Sequence, residues 1–141
     1  METKVDQLIS VAKKNLGKPY KYGAKPADAP KYFDCSSFTQ YLFKRVGVVI
    51  PRTALEQIDV GKSVSKKNMK PGDLVFCKGS VGRYNRKNPD GVGHVALYIG
   101  KNKVIHAKSV EASDGKEKGK TMVQGIENFY KNGWRGAKRI L

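Results

Sequence analysis

Two segments of the chain space their apolar residues as one face of an α-helix does. From 3 to 16 apolar positions recur every three or four residues, and Gly17 and Pro19 follow as terminating residues. A second segment begins after Asp34, a favourable N-cap, and stops before Gly47. Its apolar stripe is formed by Cys35, Phe38, Tyr41, Leu42 and Val46. The pattern predicts two N-terminal helices.

The second half of the chain shows short apolar runs that are typical of β-strands. The run 74–77 follows a Pro-Gly-Asp turn, 94–99 alternates apolar and polar residues, and 104–107 can pair with it as a hairpin. We predict two closing strands at 121–124 and 134–141, and two charged loops at 78–92 and 108–120. Helices followed by strands predict an α+β fold, with the N-terminal helices packed on an antiparallel sheet of about five to six strands.

Length and composition fit one domain over residues 1–141. The 141 residues are 39% apolar, and no repeat or linker divides them, so one core and a monomer are expected. No apolar run has the roughly 18 residues of a membrane span, and the polar start lacks the apolar centre of a signal peptide. We therefore expect no membrane span, and a chain that is exported by another route, encoded by a phage, or excised from a longer protein.

The charge balance is strongly basic, with 28 Lys and Arg against 12 Asp and Glu and a net charge of +16. Such a surface attracts polyanions through a salt-dependent field, which makes nucleic acids, anionic lipids and anionic wall polymers candidate partners. Because the basic residues are scattered, solubility explains the surplus equally well. With two cysteines, two histidines and no metal-binding motif, we expect neither a metal nor another cofactor.

Cys35 stands at the start of the second helix, directly after Asp34. The macrodipole at a helix N-terminus favours a thiolate, and the unpaired N–H groups of the first turn can stabilise an oxyanion. A lone cysteine is more often a small buried core residue, which is the interpretation that we favour for Cys77. For Cys35, the polar Asp-Cys-Ser-Ser context favours a nucleophile.

His94 and His106 are the bases available to that nucleophile, and they lie on the two strands of the predicted hairpin. Side chains alternate faces along a strand, so the loop length decides whether the two rings meet. A two-residue loop would place them on opposite faces. A three-residue loop, 100–102, pairs Ile99 with Lys103 and makes the two histidines diagonal neighbours on one face. His106 would then orient His94 as the base.

Four segments resemble, in order and spacing, the motifs of the NlpC/P60 family of cell-wall cysteine peptidases. They are Tyr-Phe-Asp-Cys-Ser-Ser-Phe (32–38), Lys-Pro-Gly-Asp-Leu-Val-Phe (70–76), Gly-His-Val-Ala-Leu-Tyr-Ile-Gly (93–100) and Val-Ile-His-Ala (104–107). The resemblance implies a circularly permuted papain-like fold with a catalytic triad of Cys35, His94 and His106. It also implies an enzyme of the bacterial cell wall that hydrolyses peptidoglycan stem peptides through an acyl-thioester, commonly between γ-linked D-glutamate and the next diamino acid.

The resemblance also carries over four substrate-contacting positions: Tyr20, Asp34, Ser36 and Arg52. Tyr20 equally fits a packed loop aromatic, Asp34 equally fits a helix cap alone, and for Arg52 we favour a solvated charge. The chain departs from the family's pattern at Ser37, where the family usually has glycine. A Cβ at that position can narrow the cleft or alter the first helical turn.

Three other functions compete with peptide hydrolysis. The same acyl-thioester chemistry supports a thiol amidase or an acyltransferase. A basic nucleic-acid-binding domain fits the charge, but no nucleic-acid-binding motif is present and the cysteine and histidines would have no role, so we expect no specific nucleic acid partner. The third alternative is a wall-binding module without catalysis, which thiol labelling would distinguish from an enzyme.

Overall fold

The computed structural model describes residues 2–79, 83–111 and 117–141, and in these ranges four α-helices accompany a six-stranded sheet. The helices are α1 (Lys4–Lys14), α2 (Cys35–Arg45), α3 (Ala54–Gln57) and α4 (Glu127–Lys131). The strands are β1 (Lys62–Val64), β2 (Leu74–Cys77), β3 (His94–Gly100), β4 (Lys103–Glu111), β5 (Glu117–Gly125) and β6 (Trp134–Arg139). All neighbours in the order β1-β6-β2-β3-β4-β5 are antiparallel. The α+β prediction is confirmed.

Both long helices begin with a capping box, a reciprocal pair of side-chain bonds to backbone N–H groups. Thr3 caps α1 together with Asp6. In α2, Asp34 accepts from the N–H of Ser37 at 2.8 Å, and the Ser37 hydroxyl accepts from the N–H of Asp34 at 2.9 Å. Ser37 is buried and does not line the cleft described below. Its hydroxyl therefore fixes the first turn of α2 and does not narrow the cleft.

The sheet separates two apolar layers. On one face, α1 and α2 pack Leu8, Phe38 and Leu42 against inward-facing strand residues such as Leu97 and Ile105. The opposite face carries a smaller layer that includes Phe129 of α4. Burial of these side chains on both faces holds β3 and β4 at the centre of the molecule, where the two histidines lie.

The β3–β4 hairpin brings the histidines together by a route that differs from the prediction. Leu97 pairs with Ile105, the predicted register, but Gly100 and not Ile99 pairs with Lys103. The turn has two residues, Lys101 and Asn102, both with positive φ, and the register shifts between Tyr98 and Gly100. A two-residue turn with both residues in the left-handed region fits the twist of a hairpin. The register shift leaves one extra residue on β3, and this residue brings both histidines back to the same face of the hairpin.

The charged segment 108–120 is mostly strand, so its prediction as a loop is wrong. β4 continues to Glu111 and β5 begins at Glu117, with an unbroken register from Lys103↔Gly125 to Glu111↔Glu117. The centre of that segment, 112–116, lies outside the described residues, as do 80–82 of the predicted loop 78–92. β5 ends the sheet, and an edge strand tolerates charged residues that a central strand would not. The predicted closing strand 121–124 is confirmed within β5, and the one predicted at 134–141 corresponds to β6, which ends at Arg139.

Candidate active site

One cleft contains all the residues that the sequence assigned to the site. It has a volume of about 570 Å³ and opens where the N-terminus of α2 meets the start of β3. The seven predicted residues in its wall are Tyr20, Asp34, Cys35, Ser36, Arg52, His94 and His106. Five separate parts of the chain supply them, so only the folded chain assembles the cleft.

Cys35 is the first residue of α2, and its thiol is 8% exposed at the floor of the cleft. Sγ donates to the carbonyl oxygen of Gly93 at 3.8 Å, which places the thiol at the start of β3. Burial, and then the negative charge of Asp34, raise the pKa of Cys35 to about 12. Loss of hydration therefore works against the thiolate that the helix dipole favours.

His94 and His106 form a direct hydrogen bond, with 2.7 Å between Nε2 of His94 and Nδ1 of His106. The ring of Phe129 stacks on His94 at 5.2 Å and contacts His106 at 5.6 Å between centroids. Burial lowers the pKa of His94 to about 3 and that of His106 to about 4. Both imidazoles are therefore neutral near pH 7, the state in which His94 can accept a proton.

Asp34, Ser36 and Arg52 form a hydrogen-bonded group on the wall beside Cys35. Arg52 pairs with Asp34 Oδ2 at 2.6 Å, donates to the Ser36 hydroxyl at 2.9 Å and also contacts the carbonyl oxygen of Ala24. The interpretation of Arg52 as a solvated charge is thus wrong, because its guanidinium is part-buried and its partners hold it in the wall. Asp34 is the helix cap, as predicted, and the same carboxylate neutralises Arg52.

Gln57 fixes this wall from behind. Its side chain is fully buried, accepts from the Thr39 hydroxyl at 2.8 Å and donates to the carbonyl oxygens of Ser36 and Pro51 at 3.0 and 2.8 Å. The amide therefore ties the first turn of α2 to the segment that carries Arg52. A buried amide with satisfied donors and acceptor is a rigid support.

Sequence reasoning missed other residues of the cleft, among them Gln124, Phe129 and Lys108. Gln124 lies on β5 opposite Val104, and its Oε1 is 2.8 Å from Nε2 of His106. The β4–β5 register would have indicated this contact, but no pairing was predicted between the strands 104–107 and 121–124.

Cys77 is 3% exposed and both cysteines are free thiols. The prediction that Cys77 is buried and unbonded is confirmed, and burial raises the pKa of its thiol to about 11. Among the residues that the structure describes, no group of three or more His, Cys, Asp or Glu side chains is arranged to hold a metal ion. Within the same ranges, no helix combines the length and apolar character needed to cross a bilayer.

Comparison with known proteins places these features in one family. Two relatives are each 36% identical to the chain: the gamma-D-glutamyl-L-lysine dipeptidyl-peptidase of Bacillus cereus and the murein DD-endopeptidase/murein LD-carboxypeptidase of Escherichia coli. The first match covers 77% of this chain and 30% of the relative, and the second 79% and 51%. The chain spans between about a fifth and a half of the length of such curated relatives.

The fold agrees with the sequence comparison. The crystal structure of an NlpC/P60 family protein from Bacillus cereus superposes with a TM-score of 0.78 and 30% identity, over 100% of this chain and 41% of that one. The model of the NlpC/P60 family matches residues 17–136, a range that contains the whole cleft. The chain therefore belongs to the NlpC/P60 family.

Proposed function

We propose that residues 1–141 form a cysteine peptidase domain that hydrolyses peptidoglycan stem peptides at the bacterial cell wall. The observation that carries the proposal is the buried thiol of Cys35 in one cleft with the hydrogen-bonded pair of His94 and His106. The relatives named above act on γ-D-glutamyl and murein bonds, which supports a wall peptide as substrate. We favour the bond between γ-linked D-glutamate and the next diamino acid, cleaved without metal or cofactor by a monomer.

The acylation step begins from a neutral thiol and a neutral imidazole. Sγ of Cys35 attacks the amide carbonyl carbon as its proton passes to His94, which becomes imidazolium. The N–H of Cys35 is the oxyanion donor that we propose, because the cap takes the N–H of Ser37 and Cys35 N–H has no partner among the described residues. Exclusion of water by the bound substrate would strengthen this contact.

Release of the amine and hydrolysis follow. Imidazolium His94 donates its proton to the leaving nitrogen, the C–N bond breaks, and an acyl-thioester on Cys35 remains. Water then attacks the thioester as His94 accepts a proton, and collapse yields the carboxylic acid and the free thiol. His106 keeps the His94 ring in place through the 2.7 Å hydrogen bond.

The cleft also offers groups for substrate binding. Tyr20, Asp34, Ser36 and Arg52 are the contacts that we propose, with Arg52 and Asp34 already neutralising each other. Arg83 and Lys108 add positive charge to the wall. A γ-glutamyl bond leaves the α-carboxylate of the glutamate free near the scissile carbonyl, so a cationic wall suits this substrate.

Product analysis on defined muropeptides tests the proposal. Mass spectrometry after incubation with stem peptides and cross-linked dimers is expected to show cleavage after γ-D-glutamate. Cleavage at D,D cross-links instead would keep the peptidase but reject the bond. Transfer of the acyl group to an added amine would indicate an acyltransferase. Absence of any product from every substrate, with a folded protein, would contradict the proposed function.

The pH dependence of turnover follows from the burial of the base. The lowered pKa of His94 keeps it neutral well below the ordinary value near 6.5, so kcat/KM at about pH 5 should stay within about threefold of the value at pH 7. A base with the ordinary pKa would lose about 25-fold over the same range. The check is a pH–rate profile on a small soluble stem peptide, with ultraviolet absorbance to show that Cys35 forms no thiolate at neutral pH. An acidic limb near pH 6.5 would contradict it.

Neutralising the basic loop should separate wall attraction from substrate binding. Arg83 lines the cleft and donates to the Tyr22 hydroxyl at 2.7 Å, whereas Arg86 and Lys87 are exposed outside it. Arg83→Gln is expected to raise KM for a soluble stem peptide about fivefold, since a partly solvated charged contact is lost. The control, Arg86→Gln with Lys87→Gln, should weaken binding to anionic wall at low salt and leave peptide KM unchanged. Equal peptide kinetics in both variants would remove Arg83 from the site.

A further inference from the structure

A chain of hydrogen bonds leads from Gln124 through both histidines. Oε1 of Gln124 is 2.8 Å from Nε2 of His106, and Nδ1 of His106 is 2.7 Å from Nε2 of His94. His106 is 2% exposed, and Phe129 covers both imidazole rings. Three of the four imidazole nitrogens therefore have one defined neighbour each, and the cover of Phe129 limits competition from water.

The carbonyl oxygen of Gln124, the first group in this chain of hydrogen bonds, decides which ring nitrogens carry protons. A carbonyl oxygen only accepts, so the neutral His106 ring must carry its single proton on Nε2. Nδ1 of His106 is then an acceptor, and Nε2 of His94 must be the donor to it. His94 consequently keeps an unprotonated Nδ1, a lone pair that is available to a thiol proton. If instead Nδ1 of His106 donated to Nε2 of His94, neutral His94 would carry its proton on Nδ1 and could not accept the proton of the thiol.

We propose that Gln124 is a positioning residue that fixes the tautomers of His106 and His94 and thereby leaves Nδ1 of His94 as the acceptor for the proton of Cys35. The inference rests on the proposed function, since it assigns the atom that accepts this proton. Gln124 acts through His106 and not on the substrate, although its side chain borders the cleft.

A neutral amide suits this position better than a carboxylate does. When His94 is protonated, its Nε2–H still donates to His106, and His106 still donates to Gln124, so the chain disperses the new charge without rearranging. Lys108 on β4 is the charged group that acts on both histidines and lowers the pKa of each. Two thiols also lie nearby: Cys77 is the register partner of His94 on β2, and Cys35 on α2 lines the same cleft. A carboxylate added at 124 would shift the pair towards imidazolium and weaken the base at acidic pH.

Two substitutions of Gln124 and one matched control test the proposal. Gln124→Leu removes the acceptor and is expected to lower kcat about 30-fold with KM within about twofold, since groups that orient a ligating histidine through its other ring nitrogen commonly contribute 10- to 100-fold. Gln124→Glu keeps the acceptor, so kcat near neutral pH should stay within about threefold while the acidic limb of the pH profile moves to higher pH. Val123→Ala, at the exposed neighbouring position of β5, should change neither quantity.

The tautomers can be read directly, without turnover. Nitrogen-15 NMR of the imidazole nitrogens in the Cys35→Ala background should show His94 and His106 protonated on Nε2, and Gln124→Leu should introduce the Nδ1-protonated form of His94. A His94 protonated on Nδ1 with Gln124 present, or unchanged tautomers and unchanged kcat in Gln124→Leu, would overturn the proposal. Because this measurement uses an inactive variant, it stands or falls independently of whether the substrate is a stem peptide.

Discussion

Cys35→Ala is expected to abolish peptide hydrolysis, with a loss of at least about 10⁴-fold in kcat. The acyl-thioester forms on Sγ of Cys35, so removing this nucleophile costs nearly the whole chemical acceleration. Cys35→Ser should be inactive too, because a hydroxyl is far less acidic than a thiol in the same buried position. Turnover of a defined stem peptide, followed by mass spectrometry, measures both variants.

Cys77→Ala is the matched control for this experiment. Cys77 is also buried and free, and it lies on β2 at the edge of the same cleft. It should retain activity within a few-fold, and all three variants should unfold within a few degrees of the parent protein. Hydrolysis near the parent rate by either Cys35 variant would reject the peptidase proposal, since the nucleophile would then lie elsewhere.

His94→Gln is expected to lower kcat about 10³- to 10⁴-fold, and His106→Gln about 10²-fold. His94 moves the proton in both chemical steps, whereas His106 acts through the 2.7 Å hydrogen bond that orients it. Loss of the orienting member of a triad costs less than loss of the base, and their effects are not additive. Single-turnover kinetics with a defined stem peptide measure the rate of acyl-thioester formation separately from the rate of its hydrolysis.

The double variant sharpens this comparison. Because His106 acts only through His94, adding His106→Gln to His94→Gln should cause little further loss. Circular dichroism and thermal unfolding show whether each ring can be replaced under Phe129 without loss of the fold. Parent-like activity of His106→Gln would remove His106 from the triad, and an additive double variant would show that it acts independently of His94.

Local sequence predicted the parts of this site that depend on neighbours in the chain. The Asp34 cap and the start of α2 at Cys35 follow from residues within four positions of one another. The histidine pairing was within reach because β3 and β4 form one hairpin, where parity limits the alternatives. Even there the predicted three-residue turn was wrong. The chain turns in two residues, Lys101 and Asn102, both with positive φ, and the register shift in β3 then produces the strand pairing that was predicted for the longer loop.

The tertiary structure alone decided the contacts between distant segments. Arg52 was taken for a solvated charge because its partner, Asp34, lies 18 residues away and meets it only when α3 packs beside α2. Gln124 reaches His106 only through the β4–β5 register, a pairing that was not predicted from the sequence. The state of Cys35 shows the same division: a helix start by itself favours a thiolate, but burial in the assembled cleft raises its pKa to about 12. Sequence thus determined which chemical groups are present and where helices begin, and long-range packing determined their partners and protonation, because hydration and cross-strand contacts exist only in the folded chain.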